Sequence, residues 1–252
     1  MFVLRSRITI GGRTFDRVTE VTVMRSVHHI AGTATVKMPA KSPGGLGNGA
    51  TAKQNAKPDA IQTGDTVKIE LAYGTDWHTE FQGYVRDLRN TTLLEIVCED
   101  EYYTTRTQEA SVSGQAVKLA DVLADCGLEV GQADDLELKN FVVDQKPVCH
   151  ILQRLKTEYG LKIFFDTENK VYALSDSEHR LPEVRYELRK NVIRQEAREL
   201  ITFLQPFAEP CMTAALTDPD HAGQNGQFAI EAVQVRFGPY GARRIVSLGE
   251  PA

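Results

Sequence analysis

The chain has no apolar stretch approaching the roughly 20 residues that span a bilayer, and Met1 to Arg7 is too short in its apolar part to be a signal peptide. It reads as a protein made and folded in the cytosol, with no membrane insertion. Its four cysteines, Cys98, Cys126, Cys149 and Cys211, stand far apart without a Cys-x-x-Cys pair. That argues against a disulfide framework or zinc knuckle and for buried thiols. Basic residues are scattered and the formal net charge is -5, so no phosphate-backbone surface and no nucleic-acid recognition are implied. The glycines at Gly11-Gly12 and between Gly44 and Gly49 are not followed by Gly-Lys-Ser/Thr, which removes the phosphate loop and with it a nucleotide cofactor.

What is present is strand grammar. In the segment from Gly64 to Leu71, Val67, Ile69 and Leu71 alternate with Thr66, Lys68 and Glu70, the period of a strand with one wet face. Phe81-Gln82-Gly83-Tyr84-Val85 and Leu94 to Cys98 continue the pattern, with Gly83 where a bulge or barrel corner would want no side chain. Upstream, Ile8 to Ile10 leads through Gly11-Gly12 to Phe15, followed by Val18 to Met24 and Thr33 to Met38, which Pro39 ends. The 252 residues, 42% hydrophobic and 25% charged, suffice for one large core or two smaller ones.

Helical signals occupy the middle. Ser113 can N-cap a helix carrying Val117, Leu119, Val122, Leu123 and Cys126 and stopping at Gly127. Pro147 opens a second, with Val148, Ile151, Leu152, Leu155 and Tyr159 at helical spacing and Gly160 as its stop. A hairpin follows, Leu161 to Phe165 and Val171 to Leu174, turned by Asp166 to Asn169. From Arg185 onward strands return: Arg185 to Ile193, Glu199 to Leu204, Cys211 to Leu216, Phe228 to Phe237 and Arg244 to Leu248. The expected fold is therefore mainly β (α+β). Two antiparallel β-barrels, residues 1–110 with a long loop at 40–60 and residues 181–252, flank a small α+β connector, residues 111–180.

That loop, Lys41 to Asp59, is rich in Gly, Ala, Asn, Lys and Pro without periodicity and cannot bury enough apolar surface to order itself. A connection of this length inside a compact domain is a functional or a mobile segment. Lys41, Gly44, Gly45, Asn48, Lys53 and Lys57 are the candidate subunit-interface residues.

Chemistry finds little support. Cys149 and His150 are neighbours on a helix and point about 100° apart, so they cannot serve as nucleophile and base. His28-His29 would face opposite sides of a strand, with no third ligand at a metal spacing. Cys98-Glu99-Asp100-Glu101 lacks the Asp-x-Asp-x-Asp-Gly loop of a calcium site and reads as a polar strand end or interface contact. Asp218-Pro219-Asp220-His221, flanked by Gly223, Asn225 and Gly226, reads as a hairpin turn before an acid-base site. No catalytic, cofactor-binding or metal-binding residue is assigned, and no enzyme activity is expected.

The order of these signals resembles a family. Ile10-Gly11-Gly12-x-x-Phe15 precedes Ala34-Thr35-Val36-Lys37-Met38-Pro39, then Gly64-Asp65-x-Val67-x-Ile69, Phe81-x-Gly83-Tyr84-Val85 and Ile96-x-Cys98-Glu99-Asp100-x-Tyr102. Cys126-Gly127-Leu128, Tyr159-Gly160-Leu161, Gly226-x-Phe228-x-Ile230 and Phe237-Gly238-x-x-Gly241 complete the series. In this order the chain is similar to the baseplate hub proteins of contractile phage tails, the late control protein D group, and to the hub portion of type VI secretion spike proteins. The resemblance implies a structural homotrimer in which two barrels per chain make a pseudo-sixfold ring joining a hexameric tail tube to a threefold spike. It further implies contacts with the tube protein and other baseplate proteins, and a place in a virion or injection particle assembled in the cytoplasm of the host or producer. Because the sequence stops after the second barrel, a separate spike protein is expected.

Two other classes compete. A β-barrel ligand-binding module for glycans would want aromatic platforms, for which Trp77-His78 and Tyr102-Tyr103 are the candidates. A cysteine- or metal-dependent hydrolase would need converging polar groups that the spacing does not supply.

Overall fold

The computed structural model describes residues 4–39, 61–90, 92–175, 180–196, 198–218 and 225–251. The loop residues Lys41, Gly44, Gly45, Asn48, Lys53 and Lys57, and also Asp220 and His221, lie outside the described residues.

The first third is a run of antiparallel strands: β1 (Leu4–Ile10), β2 (Arg13–Phe15), β3 (Glu20–Ser26), β4 (His29–Pro39), β5 (Thr66–Tyr73), β6 (Asp76–Asn90) and β7 (Leu93–Glu99), closed by a 3-10 turn at Glu101–Arg106. The middle holds β8 (Glu109–Lys118), α1 (Leu119–Asp125), β9 (Val130–Ala133), β10 (Glu137–Pro147), α2 (Val148–Tyr159), β11 (Lys162–Phe165) and β12 (Val171–Leu174). The last third comprises β13 (Arg180–Glu187), β14 (Val192–Glu196), β15 (Glu199–Thr202), β16 (Met212–Thr217), β17 (Gly226–Gly238) and β18 (Gly241–Pro251).

The protein is mainly β, as its alternation foretells. One 13-stranded sheet runs through both strand-rich thirds in the order β14-β15-β18-β17-β3-β4-β7-β6-β5-β1-β2, with β16 on β17 and β13 on β16. No closed barrel is seen among the described residues. The two thirds meet where β17 pairs with β3, setting Val235 opposite Val23 and Val233 opposite Arg25. Beneath that seam lies one continuous core, in which Ile8, Val21, Val36, Phe81 and Ile96 join Tyr186, Leu200, Val235 and Val246. Burying each such side chain contributes about 1.5–3 kcal/mol.

In the connector, α2 starts after Pro147 and ends at Gly160, which takes the left-handed cap at φ 66°, where an L side chain would be strained. Its Val148, Ile151, Leu152 and Leu155 pack with Leu119, Val122 and Leu123 of α1 and with Phe141 of β10 in a second core. The first expected helix is a correction. Glu109–Lys118 is a strand, and the helix begins only at Leu119. Ser113 pairs with Val142 and Val117 with Leu138 on β10, so a nonlocal ladder overrides the local capping signal. The hairpin after α2 is as read: Asp166 accepts hydrogen bonds from the N–H groups of Glu168 and Lys170, which closes its turn. Its second strand, β12, also pairs in parallel with β9.

Gly83 serves close packing. A Cβ there would lie 2.2 Å from the carbonyl oxygen of Glu99, while the nearby register shifts fall at Ile69/Glu70 and Val85/Asp87.

Candidate functional site

The most heavily charged place in the interior lies at the seam between the first and last thirds. Arg25 is in phase with Val21 and Val23, so the strand that buries those valines carries its guanidinium inside as well. Arg244 is in phase with Ala242, Val246 and Leu248 on β18 and is fully buried. Glu80 arrives by another route: Ile69 faces Phe81 and Glu70 faces Thr79. Glu80 is therefore the extra residue of a bulge, which turns it inward.

These groups interlock. Arg244 Nη2 donates to Glu80 Oε1 at 2.8 Å, its Nε to the Leu204 carbonyl at 3.0 Å, and its Nη1 to the Ala208 carbonyl at 3.3 Å. Arg25 Nη1 donates to the Glu80 carbonyl at 2.5 Å. Glu209, also buried, accepts from the Thr167 N–H at 3.0 Å and ties the hairpin of the connector to the seam. Burial draws the Arg25 pKa below the usual guanidinium value, and the charges of Glu209 and Glu80 oppose that shift. Tyr186 is raised, again chiefly by burial.

The acidic end of β7 proves structural. Glu99 takes a two-pronged ion pair from Arg106 at 2.6 and 2.5 Å. Asp100 accepts from the Gly32 N–H at 2.5 Å and the Tyr102 N–H at 3.1 Å, capping the 3-10 turn. Burial pushes its carboxyl well above the usual carboxylate range, against those two hydrogen bonds. The expected polar strand end is thus buried on Glu99 and Asp100, while Glu101 meets Tyr84 Oη at 3.2 Å.

The other candidates are not brought together. Cys149 is buried while its neighbour on α2, His150, is exposed. His28 and His29 are both exposed, His28 in the turn after β3 and His29 opening β4, and among the described residues no group of three His, Cys, Asp or Glu could hold a metal ion. Burial pushes the Cys98 thiol up to about 12, far from a reactive thiolate. The aromatic candidates each have one ring face covered: the Arg7 guanidinium lies 4.3 Å from the Trp77 ring centre, Arg106 lies 5.1 Å from Tyr102, and Tyr103 stacks on Tyr84 at 5.6 Å. Among exposed apolar side chains, Tyr240 stands 97% exposed at the tip of the β17–β18 hairpin, and Val142 is 60% exposed on β10.

Arg25, Glu80, Glu209 and Arg244 belong to none of the motifs that the sequence singles out. For the two arginines a signal existed, a charge in step with an apolar strand face. For Glu80 the bulge hides it. No helix among the described residues is long and apolar enough to cross a membrane.

No family model and no curated protein matches the sequence. Among solved structures, the 43 kDa tail protein of prophage MuSo2 from Shewanella oneidensis superposes with a TM-score of 0.69 at 14% identity, covering 98% of this chain and 97% of the other. A tail protein from Neisseria meningitidis MC58 gives 0.65 at 9% identity over 98% and 96% of the two chains. The Escherichia coli c3393 protein, described as a type VI secretion component with structural similarity to the T4 bacteriophage tail proteins gp27 and gp5, gives 0.63 at 10% identity over 100% of this chain and 77% of its own. At these identities the likeness is one of fold, and this chain is built on the architecture of phage tail proteins and of a type VI secretion component.

Proposed function

We propose that this protein is a structural hub of a contractile tail or injection machine, a homotrimer that adapts a hexameric tail tube to a threefold spike. The observation that carries this reading is the fold likeness over 98% of the chain to a phage tail protein. The likeness to a type VI secretion component points the same way. In this reading the two strand-rich thirds form two barrel-like halves that alternate around a central channel. Closed rings of this kind follow from cyclic symmetry. The partners are a tube protein, a separate spike protein and other baseplate proteins, and the chain works within a virion or injection particle without an enzymatic step. The buried charges at the seam hold the halves in fixed relation, as an adaptor bearing mechanical load requires.

The segment from Lys41 to Asp59 is proposed as an assembly loop that packs on a neighbouring subunit or ring, with Lys41, Lys53 and Lys57 meeting acidic surface on chains of net charge -5. Hydrogen exchange tests this on the free subunit and on the assembled particle. Amides of residues 41–59 should exchange fast in the subunit and be protected in the particle. Equal, fast exchange in both states would refute the contact.

A further inference from the structure

Three buried polar atoms at the seam lack a hydrogen-bond partner among the described residues: Nε and Nη2 of Arg25 and Oε2 of Glu80. Both residues are almost wholly enclosed, Arg25 at 3% and Glu80 at 0% exposure. They are neighbours, since Arg25 Nη1 reaches the Glu80 carbonyl. The bare Nε and Nη2 nitrogens and the bare carboxylate oxygen thus belong to two buried residues in direct contact. Leaving them so is costly in a low-dielectric interior, whereas ordering a water molecule there costs little.

We propose that this junction is a binding site for internal water, in which at least one ordered molecule accepts from Arg25 Nε or Nη2 and donates to Glu80 Oε2. The chemistry of the surroundings selects the occupant. The charges acting on Arg25 come from Glu209, Glu80, Arg244 and Asp100, all buried. A metal cation entering there would meet two guanidinium groups, and an anion would meet the carboxylates. Water carries two donors and two acceptors and satisfies both kinds of orphan, as buried waters in polar cavities commonly do. Each nitrogen of the Arg244 guanidinium already has an acceptor in Leu204, Ala208 or Glu80. The requirement falls on the Arg25 side of the cluster, and hydration lets a two-strand junction of opposite charges close without a perfectly matched set of side chains.

A crystal structure of the full chain at a resolution that shows ordered solvent provides the first test, and water-to-amide cross-relaxation observed at the Arg25 Nε–H in solution provides the second. The expected result is a discrete solvent peak within hydrogen-bond reach of both Arg25 and Glu80, together with a long-lived water contact at that N–H. In Arg25→Met, which removes both donors, the peak should be lost or displaced. A dry junction in the wild-type protein, direct pairing of Arg25 Nε and Nη2 with carboxylates, or anomalous signal from an ion at that position would each overturn the proposal. Because the decisive observations are made on the wild-type chain, a poorly folding variant does not blunt them.

Discussion

Arg244 and Glu80, 164 positions apart in sequence, form an ion pair at 2.8 Å with side-chain exposures of 0% and 1%. The pair links β18 of the last third to the bulge of β6 in the first. Breaking one side of a buried pair leaves an uncompensated charge and costs about 3–5 kcal/mol. Arg244→Met should therefore destabilise the protein by that amount in urea unfolding. The double variant Arg244→Met with Glu80→Leu should recover a large part, though not all, because the Leu204 and Ala208 carbonyls lose their donor in both variants. A double variant as unstable as the single one would show that the pair is not what links the strands.

Gly83 is a second point where the fold admits one solution. A methyl group would collide with the main chain of β7 at Glu99 O and with the Asp100 Cα, 2.2 and 2.8 Å away. Gly83→Ala should cost about 3 kcal/mol or more, the upper range for overpacking, since backbone cannot step aside as a side-chain end can. Gly12→Ala is the control. Its space is open and only its φ of +76° resists, so its cost should stay near 1 kcal/mol. Equal costs in thermal or urea unfolding would contradict the close approach.

Asp100 makes stability depend on pH in a stated direction. Its folded-state pKa is raised, with burial the largest cause, so the native state holds its proton more tightly than the unfolded chain. Its contribution is complete below the unfolded carboxylate value of about 3.9 and falls as pH rises toward the folded-state value. Asn does not titrate and mimics the protonated acid except for one acceptor, so Asp100→Asn should be less stable than wild type at pH 5. That gap should narrow at pH 8. A gap constant across pH 5–8 in urea unfolding would mean that Asp100 does not titrate differently in the two states.

Much of the fold was legible because its signals are local. Helix α2 could be read from Pro147 to Gly160, and the following hairpin from its turn at Asp166 to Asn169, because each boundary is set by residues within a few positions. β8 was misread because Ser113 and Val117 owe their strand conformation to Val142 and Leu138 on β10, partners that no window around Ser113 contains. The pairing of β3 with β17 is harder still, since it joins residues some 200 positions apart. The buried cluster divides the same way. Arg25 and Arg244 announce themselves by phase with apolar neighbours, whereas Glu80 enters the core only through the skipped pairing between Thr79 and Phe81.

In the proposed function three copies of this chain form the hub of a tail or injection particle. Native mass spectrometry of the purified chain, read together with cryo-electron microscopy of the assembled particle, tests it most directly. The prediction is a species at three times the 28.0 kDa chain mass and a threefold ring of this chain between tube and spike. A strictly monomeric chain at high concentration, with no ring of it in any particle, would contradict the claim.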